Sequence, residues 1–308
     1  MKYCLGGVVS MEVIREGNDI IRICREKDIA ICELAIRYEM EKSGKTREEI
    51  REYMSNCLEV MESSVKKALD DNGYEIRGKI IGGQAKTMWE RCKSCKTASG
   101  ETMAKAISYA LSTMEVNASM GRIVAAPTAG SCGVIPAVLL SIKDTFDLDD
   151  DKLIDGLLVA SIIGMVIAQN ATLSGAEGGC QAEIGSASAM AAGAVVAILD
   201  GTPEMSFDAG AMALKNLMGL VCDPIAGLVE SPCSKRNAIG TSNALICADM
   251  ALSGIKCVVP FDEVVVAMKR VGSQLPCELR ETALGGVATC PSAIEIAKRI
   301  FGDKWQNA

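Results

Sequence analysis

Three cysteines stand where the chain breaks rather than on helical faces: Cys180 in GAEGGCQAE, Cys222 in GLVCDPIAG and Cys233 in ESPCSKRN. A cysteine buried as a small hydrophobe needs no glycine or proline around it. Glycine is needed where backbone turns sharply or approaches something closely. Thiolates set in such loops are the ligands of iron–sulfur clusters, although ferredoxin-like spacings are absent. Three widely spaced ligands would leave one iron of a four-iron cluster open, and an open iron acts as a Lewis acid on a hydroxyl group. Composition alone favours a plainer reading, three buried loop cysteines in a chain that has 14.

A second dense stretch, NASMGRIVAAPTAGSCGVIPA, covers 117–137. Asn117, Ser119, Arg122 and Thr128 offer donors there, and an arginine with hydroxyl and backbone donors suits a carboxylate. The competing reading is a capped turn feeding the helix after Pro136. Cys132 lies in the same stretch as a rival ligand, but GVIPA after it reads as the start of a packed helix. Cys92 and Cys95 form a lone CKSC. With no second such pair and no histidine to complete a mixed site, it is taken as two cysteines on a charged helix end.

The chain contains no histidine. That removes the commonest general base and the commonest zinc ligand, so histidine triads and HExxH sites are excluded. A metal here is held by sulfur or oxygen.

The elements that must position these residues read as helices. The chain has 308 residues, enough for a sizeable core, with 49% hydrophobic but only 4% aromatic residues. Small side chains let helices approach closely. In TREEIREYMSNCLEVMESSVKKALDDNG, apolar positions 50, 54, 57, 58, 61, 65, 68 and 69 make one helical face, with Cys57 on it as a core residue. Thr46 with Glu49 is a capping-box pattern at its start, and Gly73 follows its end. Helical spacing also suits 10–26, 28–42 and 99–115. From about 116 the character changes: between 156 and 199 only Glu177 and Glu183 are charged. Breaks fall at 117–133, 171–180, 222–243 and 284–291. KCVVPFDEVVVAM is the main strand-like stretch, though FDE reads as a helix start. The expected fold is all-α, one compact multi-helix domain over 1–308, with an amphipathic part (1–100) around a core (101–308) where polar loops converge.

A formal charge of −7 argues against a nucleic-acid surface. The longest apolar run, GLLVASIIGMVIA at 156–168, has 13 residues. A membrane span needs about 20, so a buried core helix is expected and no membrane partner. MKYCLGGVVSMEVIREGNDI lacks the basic start and long apolar core of a secretory signal. Reduced thiols in the cytoplasm are therefore expected, some of them binding metal.

NASMGRIVAAPTAGSCGVIPA, SGAEGGCQAEIGSASAMAAGA, CDPIAGLVESPCSKRNAIG and PFDEVVVAMKRVG, taken together, closely resemble the alpha chain of bacterial iron–sulfur-dependent L-serine dehydratases. The likeness runs in order from about residue 80 to about residue 290. In that family three cysteines bind a [4Fe-4S] cluster at spacings of 42 and 11 residues, which Cys180, Cys222 and Cys233 match. The resemblance thus implies the cluster, a compact helical fold around it, and L-serine as substrate, converted to pyruvate and ammonia. Single-chain members carry a further cysteine at the carboxyl terminus. This chain ends KWQNA, and Cys290 in GGVATCPS lies before the matching place, so that role is not carried over. The family's other half, a small α/β domain related to amino-acid-binding regulatory domains, is expected as a separate beta chain in a heterodimer or higher oligomer.

The resemblance leaves the base that takes the α-proton unassigned. Without histidine it is a lysine, a carboxylate, a cysteine or a serine oxygen, or it comes from the partner chain, which is favoured. Arg122 and Ser119 are the expected carboxylate holders. Lys235, Arg236 and Asn237 are weaker candidates, equally suited to supporting an anionic cluster. Pyridoxal phosphate is not expected, because GGQAKTM at 82–88 is too slight for a phosphate cradle. Two rival functions remain, cysteine desulfidation on the same fold and a non-catalytic electron-transfer subunit.

Overall fold

The computed structural model describes residues 13–69 and 73–302. Thirteen α-helices are found among them: α1 (Gly17–Lys27), α2 (Ile31–Ser43), α3 (Arg47–Lys67), α4 (Gln84–Ser94), α5 (Glu101–Ala118), α6 (Val134–Phe146), α7 (Asp150–Asn170), the single turn α8 (Gly175–Gly178), α9 (Ser186–Ile198), α10 (Pro203–Asn216), α11 (Cys233–Leu252), α12 (Phe261–Gln274) and α13 (Pro291–Phe301). A π-helical turn, Gln181–Gly185, leads directly into α9. The all-α expectation is borne out; the described residues hold no strand, only one isolated bridge between Cys222 and Arg280.

Local chemistry explains where the helices begin. Thr46 accepts from the Glu49 amide at 3.2 Å while the Glu49 carboxylate accepts from the Thr46 amide at 2.8 Å, the expected capping box of α3. Thr202 caps α10 just before Pro203, whose fixed φ suits a first helical position. Asp262, near the start of α12, accepts from the Gly17 and Asn18 amides at 2.6 and 3.0 Å and so ties α1 to the main body. FDE therefore opens α12, and the strand-like pattern over 256–268 gives way to a turn followed by a helix.

Helix α9, SASAMAAGAVVAI, is buried all round except at Ala197, as a helix without a polar face must be. Helices α6, α7, α10 and α11 surround it. A Cβ on Gly193 would stand 2.3 Å from Ile163 Cδ1 of α7 and 3.0 Å from the Ser206 carbonyl oxygen of α10, so only glycine allows this approach. One continuous apolar core runs from Ile14 through α9 to Met268.

Three sequence expectations change. The apolar run at 156–168 is the middle of the 21-residue α7, because Asp149 caps the chain about two turns earlier. By length and composition alone Ala129–Phe146, α7 and Gln181–Ile198 are each long and apolar enough to cross a membrane, yet 67, 67 and 94% of these windows is buried in the fold. The expected break at 222–243 ends at Cys233, which opens the 20-residue α11. Cys57 is only half-buried on α3. The start of the expected 10–26 helix lies outside the described residues.

Candidate functional site

Cys180 and Cys233 both sit at helix starts. Cys180 immediately precedes the π-turn that runs into α9, and Cys233 is the first residue of α11. Helix N-termini carry partial positive charge and favour thiolates or an anionic group beside them. Cys222 lies in the irregular link between α10 and α11, fixed by backbone bonds from its amide to Leu279 O at 2.8 Å and from the Glu281 amide to its carbonyl at 2.7 Å. All three are buried free thiols.

Cys180 influences both of the others. A hydrogen-bonding interaction with the Cys180 thiol holds Cys222 far above the ordinary thiol range, with burial adding to it. Burial pushes Cys233 up to about 12, helped by the charges of Cys180 and Glu183. Among the described residues no three His, Cys, Asp or Glu side chains stand close enough to hold a single metal ion. A multi-iron cluster asks for a different arrangement, with each thiolate on its own iron and the sulfurs correspondingly spread.

The glycines before Cys180 have a structural reason. Gly179 adopts φ +75°, and a Cβ there would meet Leu275 Cδ1 at 2.6 Å and Leu220 O at 2.9 Å. Gln181 locks the turn: its side-chain amide donates to Gly178 O and Met268 O, while its oxygen accepts from the Gly219 amide at 2.8 Å. On the other side, buried Asn237 donates to Gly130 O at 2.8 Å and Cys233 O at 2.9 Å and accepts from the Gly133 amide at 2.9 Å. The 129–133 turn and the start of α11 are thereby one unit. Buried Glu230 accepts from the amides of Lys79, Ile80 and Ile81, fastening the segment before α4 to the approach to Cys233.

Glu183 is the feature that sequence reasoning missed. It is 8% exposed, and one of its oxygens accepts from Thr128 Oγ1 at 2.6 Å. A Cβ on Gly130 would come within 2.8 Å of Oε1, and one on Gly175 within 2.6 Å of Oε2 and 3.3 Å of Cys222 Sγ. Carboxylate and thiol thus share a glycine-walled space. Burial raises the Glu183 pKa against the lowering effect of Thr128, and the Glu281 charge raises it further. A signal was present, since Glu183 is one of two charges in a stretch of 44 residues. Glu281 and Arg280 went unnoticed too, in a segment that crosses Cys222 and whose Glu281 takes a left-handed φ of +66°.

Thr128 joins the cysteine site through Glu183. Asn117 donates to Ala129 O at 3.1 Å and braces the same turn. Ser119 is engaged elsewhere, donating to Glu115 O and accepting from the Arg77 amide. Arg122 is exposed and its charge acts on Cys57. Arg236 pairs with buried Asp223 at 2.7 Å and donates to Val221 O, next to Cys180 and Cys233 in the electrostatic field. Lys235 donates to Gln84 Oε1. Cys132 is fully buried beside Cys233 with its sulfur 3.7 Å from Met114 Sδ. Cys95 and Cys290 are exposed and Cys92 half-buried. The GGQ turn before α4 presents its Gln84 and Ala85 amides to the Glu115 carboxylate.

Fold and site define a class: an all-helical protein whose loops and helix starts gather three buried thiols and a buried carboxylate. Its relatives carry the description further. The family described as serine dehydratase alpha chain matches residues 26–288. The chain is 48% identical to the probable L-serine dehydratase alpha chain of Bacillus subtilis (strain 168) over 290 residues, 94% of this chain and 96% of that one. It is also 48% identical to the L-serine dehydratase alpha chain of Peptoniphilus asaccharolyticus over 276 residues, 90% of this chain and 94% of that one. Against the L-serine dehydratase of Streptomyces coelicolor (strain ATCC BAA-471 / A3(2) / M145) the identity is 36% over 276 residues, 89% of this chain but 60% of that longer protein. The chain belongs to the serine dehydratase alpha-chain family. The name alpha chain, carried by the first two relatives, implies a separate partner subunit in those enzymes.

Proposed function

We propose that this chain is the alpha subunit of an L-serine ammonia-lyase that holds a [4Fe-4S] cluster on Cys180, Cys222 and Cys233 and works with a separate beta chain. The observation that carries the reading is that Cys180 acts on both Cys222 and Cys233, all three being free, buried thiols and two of them at helix N-termini. The donor set fits the group: soft sulfur ligands only, no imidazole in the chain, and helix ends that offset the cluster's negative charge. The chemistry such a cluster supplies when bound is Lewis acidity at an iron without a protein ligand, which makes a β-hydroxyl a better leaving group.

The overall change removes the α-proton and the β-hydroxide of L-serine as water. The enamine that remains tautomerises to iminopropionate, and its hydrolysis gives pyruvate and ammonia. The chain's own residues bind, orient and enclose. Gln181, Asn237 and Glu230 hold the loops that bear the thiols. Thr128 fixes one oxygen of Glu183, and the Arg236–Asp223 pair adds a balanced charge beside Cys180 and Cys233. The proton acceptor must lie within hydrogen-bond reach of the α-carbon, and we assign it to the beta chain, since this chain has no histidine.

The test is an anaerobic preparation of the alpha and beta chains together, labelled with iron-57. Mössbauer spectra are recorded with and without L-serine, alongside pyruvate and ammonia assays. A four-iron signal with one site shifting on serine, together with both products, is the expected result. A cluster that ignores serine, with sulfide released from L-cysteine instead, would move the assignment to desulfidation. The electron-transfer reading has one observation of its own, Cys132 beside Cys233 as a possible fourth thiolate. It predicts four protein ligands and no serine effect.

A further inference from the structure

We infer that Glu183 is the receptor for the α-ammonium group of the substrate, so that this chain itself selects amino acids over the corresponding hydroxy acids. The inference rests on the proposed activity and adds a residue to it. A buried charge is normally paired, and Glu183 is 8% exposed with one hydrogen bond, from Thr128 Oγ1 to Oε1. Its Oε2 has no hydrogen-bond donor among the described residues and borders the space next to Cys222 Sγ that a side chain on Gly175 would fill.

No lysine or arginine among the described residues donates a hydrogen bond to Glu183, whose one donor is Thr128. Arg236 pairs with Asp223 and donates to Val221 O. Arg280 makes one long contact, to Glu177 O at 3.5 Å, and its buried Nε has no hydrogen-bond partner, yet it does not bond Glu183. Lys235 is bonded to Gln84. Every other titratable group that acts on Glu183 or Cys222 is acidic: Cys180, Glu281 and one another. A pocket of this sign repels a carboxylate and favours a compact cation with several donors. The ammonium of an amino acid has three donors and the right charge. A single metal ion is a poorer match, because no three ligating side chains cluster there. Gly130 and Gly175 flank the two oxygens and leave them room that the Cβ of any larger residue would take, at 2.8 Å from Oε1 and 2.6 Å from Oε2.

The experiment compares two probes on the anaerobic alpha–beta enzyme: L-serine, and 3-hydroxypropionate, which keeps the carboxylate and β-hydroxyl but has hydrogen in place of the ammonium. Loss of a charge-assisted bond predicts that Glu183→Gln weakens L-serine binding by about tenfold or more. Inhibition by 3-hydroxypropionate should change little, and iron content and visible absorption should be retained. Thr128→Val, which keeps the carboxylate but removes its orienting hydroxyl, should weaken serine in the same selective way and guards against a misfolded glutamine variant. Parallel weakening of both probes, no weakening of serine, or wild-type enzyme binding 3-hydroxypropionate as tightly as serine would overturn the assignment. So would a correctly folded Glu183→Gln protein that loses iron, since Glu183 would then be a ligand. A wild-type enzyme that forms no pyruvate from serine refutes the activity; an active wild type with an unaffected glutamine variant refutes this assignment alone.

Discussion

At the scale of single residues, the proposed site divides its cysteines into two kinds. Cys180 acts electrostatically on both Cys222 and Cys233, and the three lie at helix starts or in a braced link. Cys132 is just as buried, but its sulfur packs on Met114 in a small apolar group with Ile81 and Cys233. Replacing Cys180 or Cys222 with alanine should therefore abolish the four-iron absorption, while far-ultraviolet circular dichroism stays unchanged. Cys132→Ser should keep its iron and lose stability through the buried hydroxyl, by about 1–3 kcal/mol. Iron analysis of the three variants checks this, and a Cys132→Ser protein without iron would make Cys132 a ligand.

At the scale of elements, buried carboxylates serve as fasteners between helices that are distant in sequence. Glu115 on α5 accepts from the Gln84 and Ala85 amides at the start of α4, at 2.7 and 3.2 Å, while its other oxygen is buried without a partner. Burial raises its pKa, against the lowering effect of those amides and of Lys235. A carboxyl whose folded pKa lies above its unfolded value contributes stability below the unfolded value and loses it as pH rises through the folded one. Glu115→Gln keeps an oxygen for the two amides and cannot ionise. The melting temperature of wild type relative to this variant should fall as pH is raised from about 4 to about 7. A difference that stays constant over that range would mean that Glu115 ionises as freely in the fold as in the unfolded chain.

At the scale of the whole molecule, the long relative from Streptomyces coelicolor extends well beyond the stretch this chain matches, and the two-chain relatives are named alpha chains. With no histidine in this chain and the proton acceptor assigned to the partner, the alpha chain loaded with iron by itself should form pyruvate at least about a hundredfold more slowly than the alpha–beta complex, the usual scale of general-base assistance. Equal rates would place the base among this chain's own lysines and carboxylates. The apolar character of α7 and α9 belongs to this scale too. Helices that by composition suit a bilayer instead pack against one another, because glycine and alanine let four helices close around α9 and leave only Ala197 partly open.

The sequence by itself determined the local things. Apolar spacing and caps marked α2, α3 and α12, since a helix start depends on residues within one turn, as Thr46 and Glu49 show. Glycine and proline marked the loops around Cys180 and Cys222, and the resemblance drew those cysteines together with Cys233. Tertiary structure alone decided what depends on contacts between distant segments. Cys233 opens a helix because Asn237 and Glu230 anchor its first turn to residues about a hundred or more positions away. Arg122, attractive in its motif, faces Cys57, while Thr128 from the same motif reaches Glu183. Glu183 itself, a lone charge in a small-residue stretch, becomes a site only when the turn at Gly130, the loop at Gly175 and the link at Cys222 close around it. Spacing along a chain fixes which residues share a helix face; which faces meet is settled by how side-chain volumes fill the core.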